Sequence, residues 1–187
     1  GFASCKDKDD EGISYKNIVF ASQTFDVGKA PNYTVEIGNN KVVKVIMDGV
    51  ELPEDQYVVK NGYFAFAYQN FALMGLGVHN VKVVFEKGEK EFTITVTDEQ
   101  EVTIDLGTTL PGVFPIGDTV LPKVQGLSEY QAFELIYSLK RDGQDVPMTD
   151  NGNEFAVSFD ENFASATVIN ARFYNVIIAV VTAIVIV

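Results

Sequence analysis

The chain has one cysteine, one histidine and no tryptophan in 187 residues. One cysteine cannot form an intrachain disulfide, so cysteine usage leaves the redox compartment open. One histidine with one cysteine gives no Cys/His cluster at the spacing of a zinc site. A Ser-His-Asp or Cys-His arrangement would have to run through His79, and nothing beside it in sequence supplies an orienting partner. His79 reads as a surface residue in a turn ahead of a strand. Basic residues are also scarce: 14 Lys and Arg stand against 26 Asp and Glu, for a formal net charge of −12. Phosphate binding needs a basic face, so nucleic acid is not the expected partner. Anionic membrane surfaces are disfavoured by the same charge. No paired acid/base constellation can be assembled, so neither an enzyme nor a cofactor is expected.

What is present is apolar material in alternating order. Hydrophobic residues make up 47% of the chain, enough for packed cores and too much for a disordered one. Tyr33, Val35 and Ile37 share one parity, as do Val81, Val83 and Phe85, and then Phe92, Ile94 and Val96. Period two with β-branched and aromatic residues predicts half-buried strands. Gly38-Asn39-Asn40, Asp48-Gly49, Asn61-Gly62 and Lys87-Gly88 separate the runs, and Asn-Gly and Asp-Gly supply the positive φ of tight hairpins. The stretch QNFALMGLG at 69–77 does not alternate and reads as a short helical turn or loop crossing between sheets.

The organisation follows. Residues 1–12 are polar and charged and read as a flexible tether. Residues 13–98 complete one set of strands. TDEQE at 97–101 is a polar break, and residues 101–187 repeat the style. The Gly/Pro-rich stretch at 107–126 predicts edge strand and loop, because proline cannot donate to a ladder. FELIYSLKRDGQDVPM reads as two strands around Asp142-Gly143. The nearly all-apolar tail, 176–187, is 12 residues long. A spanning helix needs about 20, and β-branched residues favour strand, so a final hairpin turning near 174–176 is expected. Ile178, Val180, Thr182, Ile184 and Ile186 share one parity of that strand; Ile177, Ala179, Val181, Ala183, Val185 and Val187 share the other. Neither parity is polar, so the strand needs cover on both faces. A homodimer through this C-terminal strand, by edge pairing, is the sharpest form of that expectation.

Residues 41–98 resemble the immunoglobulin-like modules of bacterial cellulosomal cellulases. The carriers are Asp48-Gly49, Leu52, Tyr57 to Val59, Phe64 and Phe66, Phe71-Met74-Gly77 and Ile94-Val96-Asp98. Residues 113–187 more loosely resemble bacterial immunoglobulin-like repeats of surface proteins, through IGDTVLPKV, YSLKRDGQDV and TAIVIV. These resemblances imply an all-β chain of two tandem immunoglobulin-like β-sandwich domains, used as spacers, adhesion modules or sugar-binding accessories, with no catalytic residue to carry over. FASC at 2–5 resembles a bacterial lipoprotein box, and the acidic run behind it, CKDKDD, resembles surface-export signals of lipoproteins from Bacteroidetes. The resemblance makes Cys5 the lipidation site and implies a lipid-anchored protein of the bacterial outer membrane, at the cell surface, with the membrane as partner.

Two weaker site patterns remain. YFAFAYQNF at 63–71 is the densest aromatic cluster. The resemblance to the cellulosomal modules implies that Phe64 and Phe66 are core, which leaves Tyr63 and Tyr68 as candidates for stacking a sugar ring. RDGQDVPMTDNGNE at 141–154 carries Asp142, Asp145, Asp150 and Glu154. Calcium takes several such oxygens, but the alternating loop of a calcium-binding hand is absent, and a solvated acidic hairpin is the competing reading. NYT at 32–34 fits a glycosylation sequon that a bacterial lipoprotein would not use in the eukaryotic way. Two functions stay open: a non-enzymatic surface lipoprotein acting in adhesion or as a structural spacer, and a carbohydrate-binding accessory of a polysaccharide-utilisation system. The ligand is a glycan or a protein.

Overall fold

The computed structural model describes residues 12–107, 112–146, 156–160 and 166–186. The chain divides into two compact units, one ending at Asp98 and the other starting at Glu99. Each unit is an immunoglobulin-like β-sandwich.

In the first unit the alternating runs become β1 (Gln23–Asp26), β2 (Tyr33–Glu36), β3 (Val42–Met47), β4 (Val50–Glu51), β5 (Val58–Lys60) and β6 (Tyr63–Phe66). Helix α1 (Tyr68–Met74) follows, then β7 (Gly77–Phe85) and β8 (Gly88–Thr97). One sheet has the order β1-β8-β7-β3-β4, the other β2-β6-β5. Strands β1 and β8 run parallel, and the other pairs are antiparallel. Such a split, with the second, fifth and sixth strands facing the third, seventh and eighth, is the immunoglobulin arrangement. Asp48-Gly49 and Asn61-Gly62 close their hairpins with both residues at positive φ (51° and 82°, 52° and 78°).

The non-alternating stretch is α1, which carries the chain from β6 in one sheet to β7 in the other. The Ala67 amide donates to Asn70 Oδ1 at 2.8 Å and closes the helix start. Phe71 is the inward residue, 4.2 Å between ring centroids from Phe25. The core is aromatic: Phe20 and Tyr33 both stack on Phe92, at 4.9 and 5.5 Å. With no tryptophan and no disulfide to pin the sheets, these rings fill the space between them. The buried Tyr33 hydroxyl donates to the Ala21 carbonyl at 2.9 Å, and burial holds its phenol above the ordinary range.

The second unit comprises β9 (Thr103–Asp105), β10 (Val113–Pro115), β11 (Thr119–Val120), β12 (Lys123–Gln125) and β13 (Leu135–Arg141). It continues with β14 (Gln144–Val146), β15 (Val157–Ser158), β16 (Ala166–Phe173) and β17 (Val176–Ile186). Its five-stranded sheet, β10-β17-β16-β13-β14, repeats the order of the first unit, again with the first strand parallel to the last. Strands β9 with β12 and β11 with β15 make up the opposite side. Phe114 stacks on Phe159 at 4.9 Å, over Leu139, Ile169, Ala183 and Val185. The proline-bearing β10 is an outermost strand, as its missing donor requires.

The tail forms the expected hairpin, turning at Tyr174-Asn175 with Tyr174 at φ 51°. Two expectations for β17 are corrected. Its parity does not run unbroken: Ala171 pairs with Ala179 and Arg172 with Ile177, so Ile178 is an extra, bulged residue. Ile178 is therefore buried although Val180, Ile184 and Ile186 of its parity are exposed. Nor is β17 an open edge throughout, because β10 pairs with Ile184–Ile186. Among the described residues no helix is long and apolar enough to cross a membrane.

Candidate functional site

The chemistry-bearing side chain that sequence reasoning misplaced is His79. It lies inside β7, not in a turn, and is 9% exposed. Strand β3 pairs with β7 so that Met47 faces Val81, and the Asp48 amide continues the ladder to the Asn80 carbonyl at 2.9 Å. That register sets the Asp48-Gly49 turn beside His79. Asp48 Oδ2 lies 2.7 Å from His79 Nδ1, and Asp48 Oδ1 accepts the Asn80 amide at 2.8 Å. His79 Nε2 lies 2.8 Å from the carbonyl oxygen of Gly75, just past the end of α1. Burial works against ionisation of Asp48, but the bonds from His79 and the Asn80 amide, with the imidazole charge, hold its carboxyl below the usual carboxylate range.

Both acceptors facing the ring are acceptor-only: a carboxylate and a carbonyl. A ring protonated on both nitrogens donates to each, whereas a neutral ring satisfies one. The nitrogen that a general base would turn toward a substrate is engaged by the Gly75 carbonyl. The pair therefore ties the β3–β4 turn, β7 and the end of α1 together.

The other predicted residues are placed as follows. Phe64 and Phe66 are buried, as expected of core. Tyr63 opens β6, opposite Glu36 of β2 and Lys60 of β5, and is 45% exposed. Tyr68 is the half-buried first residue of α1, past the other end of the same strand. The two tyrosines thus flank β6 at opposite ends and do not form one platform. Asp142 begins the β13–β14 turn at φ 49°, and Asp145 sits in β14 opposite Lys140. Asp150, Glu154 and Cys5 lie outside the described residues, as does most of the 1–12 stretch. Among the described residues no three His, Cys, Asp or Glu side chains gather to hold a metal ion.

The outer faces of the two five-stranded sheets differ. On the first unit Lys82 of β7 reaches Glu89 and Glu91 of β8 at 3.1 and 3.3 Å, and those bonds raise the lysine above its usual value. Thr93 and Thr95 continue the polar row, and an open groove of about 520 Å³ runs beside Ile46, Lys82 and Thr93. On the second unit the same face carries aliphatic side chains from β10, β13 and β17.

No family model matches the chain, and no curated protein does. Among solved structures it is similar to the I9–I11 tandem of titin, at 15% identity over 90% of this chain and 65% of that one, with a TM-score of 0.46. It is also similar to the I67–I69 fragment of titin (11% identity, 94% and 65% covered, TM-score 0.34). A third is the titin Z1Z2 pair in complex with telethonin (14%, 89% and 92%, TM-score 0.32). The immunoglobulin assignment itself rests on the strand order within each unit.

Proposed function

We propose that the chain is a non-enzymatic module of a bacterial surface lipoprotein, acting in adhesion or as a spacer. One observation carries the adhesion or spacer part: two sandwiches of the same strand order follow one another, each with its own core. Stacking self-sufficient domains is how a chain gains length and presents surface without a catalytic cleft. The anchoring part rests on FASCKDKDD at 2–10, where small residues precede Cys5 and acids follow it. Two acyl chains on one cysteine would anchor stably where one would not. The test is metabolic labelling of the full-length precursor with a fatty-acid probe. Label on the wild type and none on Cys5→Ala is expected; equal label on both refutes anchoring through this residue.

A second reading, carbohydrate binding, is favoured by Tyr63, an exposed ring on an outer sheet face between Glu36 and Lys60. A flat ring flanked by hydrogen-bonding groups suits the apolar face and hydroxyl rim of a sugar. Binding to a polysaccharide panel that Tyr63→Ala abolishes would establish this reading over the first. No binding by the wild type removes it.

A further inference from the structure

The outer face of the second unit's five-stranded sheet can be followed through its ladder. Ile136, Arg172 and Ile177 lie side by side, then Ser138, Asn170 and Val180, then Lys140, Val168 and Thr182. Ala166, Ile184 and Val113 form the next row, and Ile186 pairs with Pro115. The opposite face carries Leu139, Ile169, Ala171, Phe173, Ala183 and Val185, which are the core. Val113, Ile136, Ile177, Val180, Ile184 and Ile186, all on the outer face, are 44–57% exposed.

The first unit serves as an internal control. It has the same strand order, and its equivalent face sets Lys44, Lys82, Glu89, Glu91, Thr93 and Thr95 among only three aliphatic residues, Ile46, Val78 and Val84. The sheet architecture therefore does not require an outer face in which aliphatic side chains predominate. Six half-exposed aliphatic side chains offer on the order of 500 Å² of apolar surface. That is at the upper end for a lone monomer and enough for the centre of an interface burying roughly 800 Å² per partner.

Charge points to the occupant. Residues 99–187 hold 12 acids and 4 bases. Two of those bases, Lys140 and Arg172, stand on this face, with Asp145 paired beside Lys140. Copies of an acidic chain repel through most of their surface, and this acid-poor face carries both signs on adjacent strands. A two-fold related copy can oppose acid to base around a shared aliphatic centre. We propose that this face is the interface with a second copy of the chain, sheet face against sheet face rather than edge to edge.

The test is the molar mass of the full chain by light scattering and sedimentation, up to about 100 µM, a range in which an interface of this size holds together. A dimer is expected. Val180→Lys with Ile184→Lys should weaken it on the order of a hundredfold and give a monomer, because a buried unpaired ammonium opposes association. Thr95→Lys, on the matching face of the first unit, should leave the mass unchanged. Circular dichroism and thermal unfolding show whether the lysine variant folds. If it does not, Val180→Thr with Ile184→Thr, which keeps the β-branched shape, decides the matter by the same mass change. A monomeric wild type overturns the proposal, whatever other protein binds there, and so does a dimer that persists in a folded variant.

Discussion

Asp48 can be taken apart one interaction at a time. Its carboxylate accepts from His79 Nδ1 at 2.7 Å and from the Asn80 amide at 2.8 Å, while its own backbone sits at φ 51°. A charge-assisted bond contributes about 1.5–3 kcal/mol when dry. The Asp48 side chain is 44% exposed, so screening reduces the His79 bond to about 1 kcal/mol. Asp48→Asn keeps the acceptor for Asn80 and tolerates the left-handed backbone, so it should cost only that ~1 kcal/mol. Asp48→Ala also loses the Asn80 bond and places a Cβ-bearing residue without a local hydrogen bond at positive φ, for about 3 kcal/mol in all. Asp48→Gly recovers the backbone share and should fall between them, near ~2 kcal/mol. In a domain of this size 1 kcal/mol moves the midpoint by about 4–8 °C, so the alanine variant should melt at least ~12 °C lower. His79, the only histidine, reports the first unit alone through its ring-proton resonance, which separates that transition from the second unit's.

The pH dependence has a definite sign. A carboxyl held below its unfolded value of about 3.8 contributes stability that is complete above that pH and lost as pH falls through the folded value. The wild type should therefore exceed Asp48→Asn at neutral pH, begin to lose that advantage as pH drops below about 3.8, and converge with it only once pH has fallen through the lower folded value, where both side chains are uncharged. Equal costs for the asparagine and alanine variants, or a gap that persists in acid, would refute the assignment of these bonds.

Gly126 stands at φ 91°, and an added Cβ would lie 2.5 Å from the Glu101 carbonyl oxygen, whereas Gly143 at φ 79° has open space around it. Gly126→Ala should destabilise the second unit well beyond Gly143→Ala, which carries only the ~1 kcal/mol backbone cost, and urea unfolding of the two variants measures the clash separately from the strain. Phe71→Ala should cost about 3–5 kcal/mol in the first unit, since the ring is fully buried against Phe25 and Phe66; the His79 resonance would show the lowered midpoint. A fragment of residues 13–98 should unfold cooperatively alone, because its two sheets and aromatic core need no strand from beyond Asp98; a gradual melt would refute that independence.

Local rules made much of the fold legible. Period-two runs became strands, and Asp-Gly and Asn-Gly marked hairpins because few other pairs tolerate two positive φ values in succession. The non-alternating stretch at 69–77 announced α1, since a helical face spaces its apolar residues differently from a strand. The family resemblance implied that Phe64 and Phe66 are core, and both are fully buried.

The remainder depended on register, which is a property of pairs of strands. Asp48 and His79 are 31 positions apart, and only the pairing of β3 with β7 brings a turn carboxylate to a strand imidazole. No local signal distinguishes that histidine from a surface one. The bulge at Ile178 was equally hidden, because both parities of the tail are apolar and a shift by one residue exchanges one greasy set for another. The apolar character of the last strand was written in the sequence. Which of its side chains reach the core, and which join Ile136 and Val113 on an exposed face, was decided only when the sheet assembled around it.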